Sequence, residues 1–110
     1  MQIERLDRGV LSLHGPLTME NAPLFMSAVR REAAPTMILD LSDVPYLDSS
    51  GLGSLVSACT SCAKSGRRIA LTGVNKRVLK VFEMTKVEQI FLMFPTLSDA
   101  IEAFTNAGTA

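Results

Sequence analysis

A strand-to-helix turn stands at the centre of the chain, where residues 46–53 read Tyr-Leu-Asp-Ser-Ser-Gly-Leu-Gly. An apolar run at residues 37–41 shortly before it is typical of a buried strand. After the turn, apolar residues recur with the spacing of a helix: Leu52, Leu55, Val56 and Cys59. The chain is therefore predicted to leave a buried strand, turn, and enter a helix through Asp-Ser-Ser-Gly.

The residues of this turn suit the start of a helix. Asp48 and Ser49 carry short side-chain oxygens, which accept hydrogen bonds from the unpaired first amides of a helix. Gly51 and Gly53, in contrast, each cost about 1 kcal/mol relative to alanine inside a helix. Two glycines in the first turns indicate that something comes close to the backbone there.

Five segments have the composition of strands. The first two are joined by the turn-forming residues 7–9, Asp-Arg-Gly, which predicts a hairpin. The predicted strands are residues 2–6, 10–14, 37–41, 69–72 and 89–94.

Four segments have helical spacing. The predicted helices are residues 18–32 with Thr18 as cap, residues 49–64, a helix capped by Asn75 that runs to residue 84, and a last helix that opens at the capping-box sequence of residues 96–99. The last helix is expected to pack Leu97, Ala100, Ile101 and Phe104 inward. The tail at residues 105–110 is expected to fray.

A hairpin followed by alternating helices and strands predicts an α/β fold with a mixed, mostly parallel sheet of about five strands and about four helices packed against it. At 110 residues the chain is expected to form one domain, residues 1–110. Loops at the carboxyl ends of parallel strands meet at one edge, where partners and ligands usually bind. Here those loops are residues 15–18, 42–49 and 73–75.

Composition excludes several classes of function. The charges of eleven basic and eleven acidic residues cancel. The sequence has no basic stripe, so direct nucleic-acid binding is not expected. The longest apolar run, residues 90–94, is too short for membrane insertion, and the N-terminus has no signal pattern, so a cytoplasmic protein is expected. Neither a P-loop nor Gly-x-Gly-x-x-Gly is present, and no cofactor is expected.

Cys59 and Cys62 form a Cys-x-x-Cys sequence inside the predicted second helix rather than at its start, where a redox pair normally lies. With His14 as the one histidine, the chain offers at most three Cys and His groups, fewer than a structural zinc site needs. Both cysteines are therefore predicted to pack in the core. His14 and Ser49 are not expected to form a hydrolase pair, because the chain lacks a Gly-x-Ser-x-Gly elbow, and His14 is predicted to be a half-exposed strand residue.

The sequence Asp-Ser-Ser-Gly-Leu-Gly at residues 48–53, after an apolar strand that ends Leu-Asp-Leu-Ser-Asp-Val, closely resembles the STAS domains of bacterial anti-sigma-factor antagonists. The resemblance covers nearly the whole chain. It implies that the serine directly after the aspartate, Ser49, is phosphorylated, with Ser50 as second choice. It also implies that Asp48 assists phosphotransfer or contacts the partner, which is compatible with helix capping.

The resemblance further implies a regulatory protein that is no enzyme itself. It would bind an anti-sigma factor with serine kinase activity, be released when Ser49 is phosphorylated, and be restored by a PP2C-type phosphatase. The expected partner-binding residues are Asp48, Ser49, Ser50, Gly51, Leu52, Pro16, Thr18 and Asn75.

The first of the three loops departs from the family pattern. Pro16 and Thr18 stand where acidic residues are usual in the family. This departure leaves an alternative open, in which the chain is a non-switching STAS subunit of a larger assembly, such as a lipid-transport complex or a stress-sensing scaffold. In that case Ser49 serves only as a helix cap.

Overall fold

One five-stranded sheet organises the molecule, whose computed structural model describes the backbone of residues 1–109 and the side chains of residues 1–105. The strands lie in the sequence order β1-β2-β3-β4-β5, with β1 antiparallel to β2 and the other pairs parallel. The strands are β1 Gln2–Asp7, β2 Val10–His14, β3 Thr36–Asp43, β4 Arg68–Thr72 and β5 Leu92–Phe94. The predicted mixed, mostly parallel sheet is confirmed.

Four helices cover the sheet within the described residues, as predicted. They are α1 Ala22–Arg31, α2 Ser49–Lys64, α3 Lys76–Met84 and α4 Leu97–Thr109. Successive strand residues point to opposite faces, and the sheet carries an apolar layer on each face. The larger layer joins strand residues such as Leu13 and Leu39 to Phe25 of α1, Leu55 of α2 and Phe82 of α3. The smaller layer lies on the other face and joins Val10 and Ile38 to Ala100 of α4.

The predicted start of the first helix is wrong by four residues. The helix begins at Ala22, and the Thr18 carbonyl instead accepts hydrogen bonds from the amides of Asn21 at 2.9 Å and Ala22 at 2.8 Å, which closes a turn. Thr18 is therefore not the helix cap. Pro23 lies in the first turn of α1, where its fixed φ and missing N–H are tolerated.

Two predictions at the C-terminal end are also corrected. Strand β5 begins at Leu92 rather than residue 89, because a turn precedes it in which the Ile90 amide donates to the Val87 carbonyl at 2.9 Å. Ile101 does not pack inward: it is 44% exposed, whereas Ala100 is fully buried and Leu97 and Phe104 pack against the smaller layer. For the tail predicted to fray, the backbone is helical through Thr109, while Ala110 and the side chains of residues 106–110 lie outside the described residues.

Both cysteines belong to the core, as predicted. Cys59 is 5% exposed and Cys62 is 1% exposed, and both are free thiols. Burial raises the pKa of the Cys59 thiol to about 12, so this group stays protonated at neutral pH. The Cys62 thiol lies 3.9 Å from the sulfur of Met37 on β3. The pair therefore packs α2 against the sheet.

Candidate functional site

The loops after β2, β3 and β4 meet at one edge of the sheet, as the topology predicts. The first two are joined by a parallel bridge between Leu17 and Leu47. The Leu17 amide donates to the Tyr46 carbonyl at 3.1 Å, and the Asp48 amide donates to the Leu17 carbonyl at 3.2 Å. This bridge extends the sheet beyond the strands and holds the start of α2 against the loop at residues 15–18.

The Asp48 carboxylate links the start of α2 to the turn that precedes α1. Its Oδ1 accepts a hydrogen bond from the Gly51 amide at 2.8 Å, which caps α2, and its Oδ2 accepts one from the Met19 amide at 3.0 Å. These bonds, the Gly51 bond first, lower the pKa of the Asp48 carboxyl below its usual range. Asp48 is therefore ionised at neutral pH, and the predicted capping role is confirmed.

Gly51 and Leu52 are buried in the first turn of α2 and support this edge of the sheet. A Cβ built on Gly51 would lie 1.9 Å from the Leu17 carbonyl oxygen, so α2 and the first loop approach each other as closely as backbone allows. Leu52 is only 9% exposed and packs in the larger core layer. Of the residues predicted to bind a partner, these two shape the edge and expose little of themselves.

Ser49 and Ser50 are exposed and are the first two residues of α2. Within residues 1–105, neither hydroxyl takes part in a hydrogen bond to protein. The positive end of the helix dipole favours an anion here by about 0.3–2 kcal/mol. Both hydroxyls are accessible to a modifying enzyme, and Ser49 directly follows the ionised Asp48.

Asn75, Pro16 and Thr18 complete the predicted set. Asn75 caps α3 by accepting the Val78 amide at 2.8 Å, and its Nδ2 donates to the Val44 carbonyl at 3.0 Å, which ties the third loop to the second. Pro16 and Thr18 are half-buried and line a shallow cavity of about 300 Å³ that also includes Asp48. The structure thus brings all the predicted residues to one edge of the sheet.

Sequence reasoning missed two exposed apolar side chains at this edge. Met19 is 68% exposed and Tyr46 is 40% exposed, and both line the cavity beside Asp48. The Arg77 guanidinium lies over the Tyr46 ring, 5.0 Å from its centroid. Methionine, tyrosine and arginine are enriched at protein interfaces. The exposure of Met19 was not predicted because the sequence placed this residue inside a helix at residues 18–32. In the structure Met19 lies in the turn before α1, which exposes its side chain.

His14 lies at the end of β2 between two carboxylates. Its Nδ1 is 2.7 Å from Asp43 Oδ2, its Nε2 is 2.8 Å from Glu4 Oε1, and Ser12 Oγ is 3.3 Å from Nε2. Hydrogen bonds to Asp43 and then Glu4 raise the pKa of His14 above its ordinary value of 6.5. The side chain is 32% exposed, so the prediction of a half-exposed strand residue is confirmed.

Because the pKa of His14 is raised on folding, protonated His14 stabilises the folded state. This contribution is fully present below the unfolded pKa near 6.5 and is lost as the pH rises through the raised, folded pKa. We expect the Tm difference between the wild type and His14→Gln to be largest and nearly constant below about pH 6, and to shrink as the pH rises through the folded pKa. Thermal melts from pH 5.5 to 8.5 test this, and a difference that is constant with pH would contradict it. As the chain has one histidine, NMR titration of its imidazole gives the folded pKa without ambiguity.

The fold and this edge define a small α/β domain that presents two exposed serines at the start of a helix. The chain belongs to the STAS family, since the model described as STAS domain matches residues 1–100. A Thermotoga maritima protein that is provisionally named an anti-sigma factor antagonist is 34% identical over 97 residues, 84% of this chain and 86% of the relative.

Solved structures agree with this assignment. A crystal structure of a Thermotoga maritima protein with this provisional name aligns with a TM-score of 0.80 at 32% identity, covering 93% of this chain and 92% of the other. An anti-sigma factor antagonist from Mycobacterium paratuberculosis aligns with a TM-score of 0.78 at 27% identity, covering 93% and 90%. Over residues 1–109, no helix combines the length and apolar character needed to cross a membrane.

Proposed function

We propose that this protein is an anti-sigma-factor antagonist whose binding is switched by phosphorylation of Ser49. Unphosphorylated, it binds an anti-sigma factor that is also a serine kinase, and a sigma factor is released. Phosphorylation of Ser49 ends that complex, and a PP2C-type phosphatase restores it. In this cycle the chain is a substrate in the cytoplasm and not an enzyme.

The observation that carries the proposal is the position of Ser49. Its hydroxyl is exposed at the first residue of α2, on the edge where three loops meet, and forms no hydrogen bond with the described side chains. A kinase can therefore reach this hydroxyl without opening the fold. The exposed Met19 and Tyr46 beside it provide apolar area for a protein partner.

The charge of a phosphoryl group explains how one modification can end the complex. Phosphorylation adds about −1.5 to −2 charges at pH 7. Asp48 already holds one negative charge at the same helix end, where its carboxylate accepts the Gly51 amide. The phosphate therefore adds to an existing anion, and a partner that covers this edge must desolvate both. Each 1.4 kcal/mol of that cost weakens binding tenfold.

The departure at Pro16 and Thr18 is compatible with the proposal. The first loop is held by backbone hydrogen bonds of Leu17 to Tyr46 and Asp48, and these bonds need no acidic side chain at residues 16 or 18. The Pro16 carbonyl accepts a hydrogen bond from Asn21 Nδ2 at 2.6 Å, which fixes the loop from its other side. The altered residues thus change what the loop presents to a partner, while the position of the loop is maintained.

The test is phosphorylation by the anti-sigma factor of the same organism. We expect intact-mass analysis after incubation with this kinase and Mg-ATP to show one added phosphoryl group, and peptide mapping to place it on Ser49. Ser49→Ala should remain unmodified. Ser57→Ala, an exposed serine further along α2, serves as the matched control and should be modified like the wild type.

Two results would overturn parts of the proposal. Modification of Ser50 in the wild type would retain the switch and reject Ser49 as the acceptor. No modification, under conditions where the kinase is active on another substrate, would reject phosphorylation as the means of release.

A further inference from the structure

A second cavity lies away from the Ser49 edge, between β1 and α1. Its volume is about 460 Å³, within the range of small-molecule sites. It is present because α1 packs its Phe25 and Val29 into the core, while the neighbouring stripe of the helix faces the edge strand β1 without filling the space. That stripe consists of Leu24, Ala28 and Arg31, at spacings of four and three residues.

The walls of this cavity are largely apolar. Ile3 of β1 and Leu11 of β2 form one side, and Leu24 and Ala28 of α1 form the other. Ala33 and Ala34 close one end with small side chains. The end wall is fixed from behind, because Arg67 donates to the Glu32 carbonyl at 2.7 Å and to the Ala34 carbonyl at 2.9 Å.

The charged side chains that line the cavity are mostly positive. Three are arginines, Arg5, Arg8 and Arg31, and one is acidic, Glu32. The Glu32 side chain is 5% exposed, and its Oε2 accepts a hydrogen bond from Arg5 Nε at 2.8 Å, so these two charges compensate each other. Within residues 1–105, Arg8 and Arg31 form no ion pair. Two positive charges at the cavity are thus left for an anion.

We propose that this cavity binds a small amphipathic anion, an aliphatic chain that ends in a carboxylate. The chain contacts Ile3, Leu11 and Leu24, and the carboxylate binds the guanidinium groups of Arg8 and Arg31. Arginine suits this role because its planar donors match the two oxygens of a carboxylate. Because exposed Arg5 pairs with the buried Glu32, the charges left for the carboxylate are those of Arg8 and Arg31.

The site is separate from the proposed phosphorylation switch. The end of the cavity that holds Arg8 and Arg31 lies beside Gly9 and Ala34, which precede β2 and β3. Ser49 lies beyond the opposite ends of the same strands. Substitutions at Arg8 and Arg31 therefore leave the Ser49 edge intact, and the two proposals stand or fall separately.

The test is titration of the full chain with decanoate, followed by two-dimensional NMR. We expect saturable shifts of amides in β1, the β1–β2 turn and the second half of α1. The double variant Arg8→Gln/Arg31→Gln should bind at least tenfold more weakly. Arg30→Gln is the matched control, since Arg30 is exposed on the same helix outside the cavity, and it should bind like the wild type. Ala28→Leu, which fills the cavity, should also lose binding.

Several outcomes would overturn the assignment. Equal binding of decanol would show an apolar groove without recognition of the anion, and equal binding of acetate would show an anion site without use of the apolar walls. Absence of saturable shifts, or equal loss of binding in Arg30→Gln, would reject the site. A concentration-dependent dimer in sedimentation that Ala28→Leu disrupts would assign the cavity to a second copy of the chain.

Discussion

Gly51→Ala is expected to lower the free energy of unfolding by about 3 kcal/mol, at the upper end of the usual cost of overpacking. The added methyl would lie 1.9 Å from the Leu17 carbonyl oxygen and 2.7 Å from its carbonyl carbon, and both atoms belong to the backbone. The Leu17 carbonyl has little freedom to move, because it accepts the Asp48 amide and its own side chain is fully buried. Relief of the clash must separate α2 from the first loop.

Gly53→Ala is the matched control for this substitution. Gly53 lies two residues further along the same helix and is exposed. A Cβ added there would meet nothing within 4 Å outside the adjacent residues and the backbone of its own helix. Alanine there should stabilise the protein by roughly 0.5–1 kcal/mol through helix propensity. Urea denaturation of both variants measures the difference. Similar midpoints for the two variants would show that the close approach at Gly51 is relieved cheaply, contrary to the prediction.

Local patterns in the sequence predicted the elements where local interactions determine them. Helix α2 begins and ends where the spacing of apolar residues and the Asp48 cap place it, and Asn75 caps α3 as its side chain suggests. The order of a hairpin and alternating helices also predicts that the three loops meet, because the ends of parallel strands are determined by topology. The candidate site was therefore largely predictable as a location.

The errors arise where distant residues decide the local structure. The turn at residues 18–21 depends on Asp48, whose carboxylate accepts a hydrogen bond from the Met19 amide, 29 positions earlier in the sequence. The spacing of apolar residues in 18–32 gives no indication of this bond. Ile101 belongs to an apolar helix, but which of its apolar residues face the sheet depends on how α4 crosses Val10 and Ile38. The cavity between β1 and α1 could not be predicted from a sequence pattern either, because its three arginines lie on a strand, in a turn and on a helix.

The two glycines of the motif show what a single sequence leaves unresolved. Both are poor helix formers, and the sequence indicates only that something approaches the backbone near them. The structure separates them, since Gly51 lies against Leu17 and Gly53 faces open space. Close packing at Gly51 also places the Leu17 loop beside Ser49, so a buried residue helps to build the candidate site.

Ser49→Asp is expected to weaken binding to the cognate anti-sigma factor by at least about 100-fold, or about 2.7 kcal/mol, while the fold is retained. The new carboxylate lies at an exposed position in the first turn of α2, where the helix dipole favours an anion, so the Tm should change little. At the interface, the same charge joins that of Asp48, and both must lose water when a partner covers the edge. Isothermal titration calorimetry with the purified anti-sigma factor measures the loss.

Ser57→Asp separates the position of the charge from the charge itself. It adds the same group to an exposed residue of the same helix, about two turns away from the edge, and should bind within a few-fold of the wild type. Ser49→Ala should also retain binding, because it removes a hydroxyl that forms no hydrogen bond with the described side chains. If Ser49→Asp binds as tightly as Ser57→Asp, charge at the helix start does not control the complex, and the proposed switch is rejected even if Ser49 is phosphorylated.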